Sequence, residues 1–303
     1  MFSLLGGSKA SRYRVGVSFN PMGVACAVVK GNMGSEKLIA HAIVKFGAEL
    51  ENFIKRYHLK GAKAVLTLEP DDYSLVQIEA PEAPKEEMPL AIRWRVKDII
   101  DFHIDDAKLD FFMMPEGRRS SMPSLMYVAA IRSSELDDLI NTVNNSGLVV
   151  SAVDITELTL RNLFLTTERE LPDPEVLLFL GPRFSLIEIF RGGVLFLTRR
   201  IKMLSSDLQQ SDGSVPSDLM EGIILELQRS IDYCDSQFDI PPIKVISIVC
   251  HDDIASTLVD YCAENFNTNV RTLRLEGMDG AGLLGGNQLI ELLPAIGAAV
   301  RAI

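Results

Sequence analysis

Short apolar runs broken by turn residues open the chain and recur just past its middle. Val15-Gly16-Val17-Ser18-Phe19-Asn20-Pro21 leads into the apolar run 24–29 and then Lys30-Gly31. In 176–200 three apolar, β-branched and aromatic runs are separated by Gly181-Pro182-Arg183 and by Arg191-Gly192-Gly193. Glycine reaches backbone conformations that strain other residues, so this punctuation predicts tight hairpins. The two passages align with Lys30 on Arg191, Gly31 on Gly192 and Asn20 on Gly181. A duplicated strand–turn–strand start predicts two related lobes facing a cleft.

Between the hairpins the pattern predicts a strand over 37–46. A helix over 49–58 follows, with Leu50, Phe53, Ile54 and Tyr57 at helical spacing and Gly61 as its stop. Strands are expected at 64–68 and 74–78, the second running into Ala80-Pro81-Glu82-Ala83-Pro84. A strand at 109–113, a polar and basic loop at 117–124 and a strand at 125–131 precede a helix over 135–145. Ser134 is its expected cap and Gly147 its stop. A strand at 149–155 and a helix at 157–167 lead to Leu171-Pro172-Asp173-Pro174, the expected domain boundary. Beyond the second hairpin come a loop at 205–217 and the longest helix, 218–238, with Leu219, Ile223, Leu227 and Ile231 on one face. Strand 244–250, helix 254–266, strand 270–275 and an apolar helix over 288–303 complete the pattern.

The stretch 86–102 is helical but apolar on two sides. Ile92, Val96, Ile99 and Ile100 make the core-facing stripe. Leu90, Ala91 and Trp94 fall roughly opposite, since two residues turn a helix by about 200°. Trp94 is the only tryptophan. That face is either covered by a second layer of this protein or offered to a partner, because exposed aromatic anchors favour interfaces.

Length, at 303 residues, allows two domains of ordinary size. Hydrophobic residues make up 47% of the chain and mean hydropathy is +0.17, enough for substantial cores. A formal charge of −11 disfavours nucleic acid as a main partner. Cys26, Cys234, Cys250 and Cys262 form no CxxC pair and lie in apolar segments, as reduced core thiols do in a cytosolic protein. No run approaches a membrane span. Met1-Phe2-Ser3-Leu4-Leu5 is too short for a signal peptide, although its apolar residues could touch a membrane or a neighbour.

Familiar catalytic signatures are missing. Gly280-Ala281-Gly282-Leu283-Leu284-Gly285 matches G-x-G-x-x-G, but no strand follows it and no acid stands about 20 positions on, so it reads as a loop. Cys250-His251-Asp252-Asp253 could suggest a metal, yet neighbours on a strand point to opposite sides. A strand end entering a helix cap explains the two acids better.

The two hairpins, with the 79–116 module, resemble the PilM and MshI families of pilus assembly proteins, MshI most closely. The resemblance rests on Gln77-x-x-Ala80-Pro81 and on Glu87-x-x-x-Ala91-x-Arg93-Trp94-x-Val96-Lys97-Asp98. It continues through Leu109-Asp110, Glu226-Leu227-Gln228-Arg229-Ser230-Ile231-Asp232-Tyr233 and Ala295-Ile296-Gly297-Ala298-Ala299-Val300-Arg301. It implies an α/β, two-lobed fold of the actin, sugar-kinase and Hsp70 superfamily with mixed sheets. The implied division is a first lobe over 1–172 with an inserted subdomain at about 79–116, a second lobe over 173–285, and a helix over 286–303 returning to the first lobe. It also implies a cytoplasmic protein, held at the inner membrane by the short cytoplasmic N-terminal tail of a PilN-like partner, for which Leu90, Ala91 and Trp94 are the candidate contacts. ATP-binding members carry Asp-x-Gly in each hairpin. Here Ser18-Phe19-Asn20 and Phe179-Leu180-Gly181 stand in those places, and Cys250-His251-Asp252 replaces the glycine pair that receives adenosine. Mg²⁺ needs oxygen ligands and Phe179 offers none. The expectation is a scaffold without enzymatic activity, without bound ATP or metal. The alternative is an ATP-binding ATPase of pilus or type II secretion assembly that uses nonstandard ligands.

Overall fold

A computed structural model describes residues 13–31, 35–118, 123–165, 173–208, 215–275, 278–282 and 284–301. The expectation for 1–5 lies outside the described residues, as do parts of those for 117–124, 157–167, 171–174, 205–217, 280–285 and 288–303.

The first hairpin is β1 (Tyr13–Asn20) and β2 (Gly23–Lys30), continued by β3 (Lys37–Val44). The second is β9 (Glu175–Leu180), β10 (Ser185–Arg191) and β11 (Val194–Ile201). Each antiparallel trio is extended by two parallel strands. β4 (Lys63–Leu68) and β8 (Val149–Ile155) give the order β3-β2-β1-β4-β8, while β12 (Val245–Val249) and β13 (Asn269–Thr272) give β11-β10-β9-β12-β13. The duplication reaches single residues. The β2–β3 register shifts between Val28 and Val29, and the β10–β11 register shifts between Ile189 and Phe190, the aligned positions of the repeat. A bulge adds twist to the bearing strand, so both sheets acquire it at the same place.

On the outer face of the first sheet lie α1 (Ala48–Arg56) and α3 (Ser133–Asn145), burying Leu50, Phe53, Ile54 and Val143. Arg132, not Ser134, precedes the first turn of α3, and no side chain caps it. α5 (Ser217–Phe238) and α6 (Asp252–Asn265) cover the second sheet in the same way. The stripe of α5 is rotated from the expected one: Met220, Ile223, Leu227, Cys234 and Phe238 are buried, whereas Leu219 and Ile231 lie at its border. Tyr233 accepts a hydrogen bond from Gln77 Nε2 at 3.1 Å, and Arg229 pairs with Glu226 at 3.0 Å.

Between the sheets lie α4 (Thr156–Leu165) and α7 (Gly286–Val300), in one core that takes Ala25, Ala27 and Val29 from one sheet and Leu177, Phe179 and Leu186 from the other. The approach is too close for side chains. A Cβ at Gly16 of β1 would lie 1.8 Å from the Ala295 carbonyl oxygen, and one at Gly297 would lie 2.0 Å from that of Thr159.

An insertion between β4 and α3 forms a third sheet. It contains β5 (Ser74–Glu79), α2 (Met88–Val96), β6 (Ala107–Met113) and β7 (Leu125–Arg132), in strand order β5-β7-β6. α2 packs Ile92 and Val96 on Met126, Val128 and Ala130 of the sheet. The opposite face sends Tyr127 and Phe112 into the second lobe. Because α2 ends at Val96 rather than continuing to 102, Ile99 leaves the expected core stripe and is 53% exposed.

Candidate functional site

The cleft floor is where both hairpins, α7 and the end of β4 converge. Ser18 is buried and its hydroxyl has no hydrogen-bond partner. Asn20 accepts from the Met22 N–H at 2.9 Å and donates to Glu291 Oε2 on α7 at 3.2 Å. Opposite them, Phe179 is buried and stacked on Phe184, ring centres 5.2 Å apart. Gly181 has no room for a side chain, since a Cβ would sit 2.7 Å from the Phe179 ring and from the Phe184 carbonyl oxygen.

The centre holds a cation that belongs to the chain. Arg183, in the turn of the second hairpin, pairs with Glu69 just beyond β4 and lies 3.7 Å from Glu291. Burial pushes the Glu69 carboxyl up to about 7, against the pull of Arg183 and helped by nearby Asp72, Glu291 and Asp71. A second bridge ties the lobes through Arg200 of β11, which pairs with Asp71 and donates to the Pro70 carbonyl at 3.2 Å. Deeper in, Tyr73 donates to the buried Glu157, and burial holds Glu157 above the usual carboxylate range. Glu188 on β10 is fully buried, and burial followed by the nearby Glu157 holds its carboxyl well above the usual carboxylate range.

At the far end of the cleft, Cys250 is buried, its thiol pushed up to about 12 chiefly by burial. His251 precedes α6 and Asp252 begins it. The Asp252 carboxylate accepts from the Gly286 and Asn287 N–H groups at 2.7 and 3.3 Å, while Asn287 Oδ1 accepts from the Asp252 N–H at 3.0 Å. Helix N-termini attract anions, and these two are capped by each other's side chains. A Cβ at Gly286 would lie 2.2 Å from the Cys250 carbonyl oxygen.

These residues do not fit Mg-ATP. No carboxylate stands at Ser18 or Phe179 to order Mg²⁺ and water, Arg183 already has two acids, and Asp252 already supplies negative charge at the α7 N-terminus. Among the described residues no group of three or more His, Cys, Asp or Glu is arranged to hold a metal ion.

Two further surfaces remain open. Leu90 and Trp94 project outward from α2, 60% and 64% exposed, with Lys97 Nζ 4.6 Å from the Trp94 ring centre. Among the described residues no second layer covers them, and Ala91 is half-buried on their flank. They form a convex ridge. An apolar groove of about 290 Å³ lies between the insertion and the first lobe, lined by Phe112, Ile131, Leu136, Val153 and Leu158 among others. The edge strands β6 and β8 both border it, and among the described residues neither has a strand partner on its outer edge. Periodicity could not locate this groove, since its walls come from separate parts of the chain. Glu69, Arg183 and Glu291 were missed for the same reason, although the arginine inside a Gly-Pro turn was a visible signal.

A protein-family profile described as "Type IV pilus assembly protein PilM" matches residues 23–182. No curated protein matches the chain by sequence. Among solved structures, the PilM-PilN type IV pilus biogenesis complex contains a chain that aligns with a TM-score of 0.69 at 18% identity, covering 95% of this chain and 99% of that one. The cytoplasmic domain of EpsL, an inner membrane component of the type II secretion system of Vibrio cholerae, gives 0.52 at 13% identity with 96% of each chain covered. A protein of unknown function from Bacteroides thetaiotaomicron, with an actin-like ATPase fold, gives 0.51 at 10% identity over 89% of this chain and 94% of that one. At such identities the likeness concerns the fold, which is actin-like. No described helix is long and apolar enough to cross a membrane.

Proposed function

The chain belongs to the PilM family of type IV pilus assembly proteins, and on that premise we propose that it is a cytoplasmic scaffold without ATPase activity. In this reading it serves an MSHA-like pilus machine, as the MshI resemblance implies, and reaches the inner membrane by holding the cytoplasmic N-terminal segment of a PilN-like protein. The observation that carries the reading is the cleft floor, where Arg183 pairs with Glu69 beside Glu291 and the Asp252 carboxylate accepts from the first N–H group of α7. A solved complex of the same fold joins PilM to PilN, which supports a partner of that kind.

The partner's segment sits in the groove. An extended peptide there can add its backbone to an open strand edge and its apolar side chains to Phe112, Leu136 and Leu158. The exposure of two large apolar side chains favours a second seat, the ridge of Leu90, Ala91 and Trp94. Titration with a synthetic peptide of the partner's cytoplasmic segment separates the two. Leu136→Asp should weaken binding by about 2 kcal/mol if Leu136 is a hot spot, with Trp94 emission unchanged throughout. A blue shift of Trp94 on binding would move the peptide to the ridge. Millimolar Mg-ATP should leave the melting temperature unchanged, because a ligand at 100 times its dissociation constant would add about 2.7 kcal/mol. An upward shift would instead support the ATP-binding reading.

A further inference from the structure

Charge is spread unevenly along the strands of the first lobe. Where β1 begins, the register sets Tyr13 beside Lys30 at the end of β2, and Lys30 beside Lys37 at the start of β3. On the other side Val15 pairs with Ala64, so Arg14 stands level with Lys63, the first residue of β4. Each of these four strands brings a cation to the same end of the sheet. Helix α1 returns to that end with Lys55 and Arg56 in its last turn. Lys60 follows in a loop tied to the end of α3, where the Gly61 N–H donates to the Gly147 carbonyl at 2.7 Å. The acids nearby are already engaged: Glu36 pairs with Arg14, Asp279 with Lys37 and Glu51 with Lys55. Among the described residues, Lys30, Arg56, Lys60 and Lys63 are exposed without an ion pair. The cleft end of the same sheet carries Glu69, Asp71, Asp72 and Asp154 instead. A chain of net charge −11 therefore has one basic end, and such asymmetry orients a molecule in the field of an anionic surface.

The chain also enters β1 at this end. Ahead of Tyr13 the sequence supplies Phe2, Leu4 and Leu5, then Lys9 and Arg12. Firm attachment to a bilayer surface takes two signals, an apolar insertion and a basic patch, and here the two adjoin. We propose that the first lobe rests its basic end directly on an anionic lipid bilayer, with Lys30, Arg56, Lys60 and Lys63 against the headgroups and Phe2, Leu4 and Leu5 entering the acyl boundary. This contact goes beyond tethering through a partner and does not require it. The groove lies at the Leu68 end of β4, away from Lys63, and stays free.

Flotation of the full chain, without partner, tests the contact. It should rise with vesicles of equimolar phosphatidylcholine and phosphatidylglycerol at low salt, stay behind with phosphatidylcholine alone, and be released by high salt. Lys30→Ala and Lys63→Ala should each weaken binding by about fivefold, whereas Lys30→Arg should leave it unchanged. Phe2→Ser should weaken it by about tenfold. Lys97→Ala, which removes an exposed cation on α2, should have no effect. A chain that ignores the mixed vesicles or floats equally on both kinds overturns the proposal. So do Lys30 and Lys63 variants that float like wild type, or a Lys97 variant that loses as much. A short DNA duplex that displaces the vesicles would make the patch a general polyanion site and also overturn it. The partner peptide is absent throughout, so no outcome depends on the groove.

Discussion

The cleft and the groove are both bounded by the first lobe, and they differ in what fills them. In the cleft the described side chains largely meet neighbours of their own chain: Arg183 meets Glu69 and Glu291, Phe179 stacks on Phe184, and the starts of α6 and α7 cap each other. In the groove the walls end in half-buried apolar side chains and two strand edges. In the proposed reading, an actin-like plan is kept while its own charged side chains take over the central site. The inserted sheet then creates a new concave surface at the side. Closure favours rigidity between lobes, and the open groove favours a ligand that brings its own backbone hydrogen bonds.

The harshest way to break the contrast is to pry the cleft floor apart. Gly16→Val drives a side chain into the α7 backbone at Ala295, and should cost more than about 4 kcal/mol, the range of the most damaging core substitutions. Chemical denaturation would show it, with peptide binding lost alongside the fold. Arg183→Ala is milder. It leaves Glu69 and Glu291 without their shared cation, and should cost about 1–3 kcal/mol while the groove still binds peptide with wild-type affinity. Loss of both together would mean that the two regions are coupled.

The smallest effect is one of pH. The Glu69 carboxyl rises from an ordinary 4.5 to about 7 on folding, so the folded state holds a proton that the unfolded state has released. Its contribution to stability is complete below about 4.5 and is lost as pH climbs to about 7. Glu69→Gln should flatten that part of the melting-temperature profile and leave its alkaline part unchanged. A profile identical to wild type would mean that the carboxyl is not titrating in this window.

Much of the fold was legible because it is written locally. The glycine-punctuated hairpins announced the duplication, and the recurring bulge shows that the repeat was real to the residue. The missing acids at Ser18 and Phe179 were also plain in the sequence. What replaces them was not, since Arg183 finds Glu69 across 114 positions and Asn20 finds Glu291 across 271. Ile99 was misplaced because its helical spacing continued past the true end of α2 at Val96. The groove is a product of tertiary assembly, formed only once the edges of β6 and β8 come to border the same space.

The position of α7 bears on synthesis. It covers the inner face of a sheet whose first four strands end at Leu68, yet it begins at Gly286. At about 5–20 residues per second, translation leaves those strands without their cover for roughly 10–45 s. Throughout that interval Ala25, Ala27, Val29 and the backbone beside Gly16 face water or a chaperone. The nascent protein therefore carries an apolar sheet face open to aggregation from the making of β4 until α7 arrives.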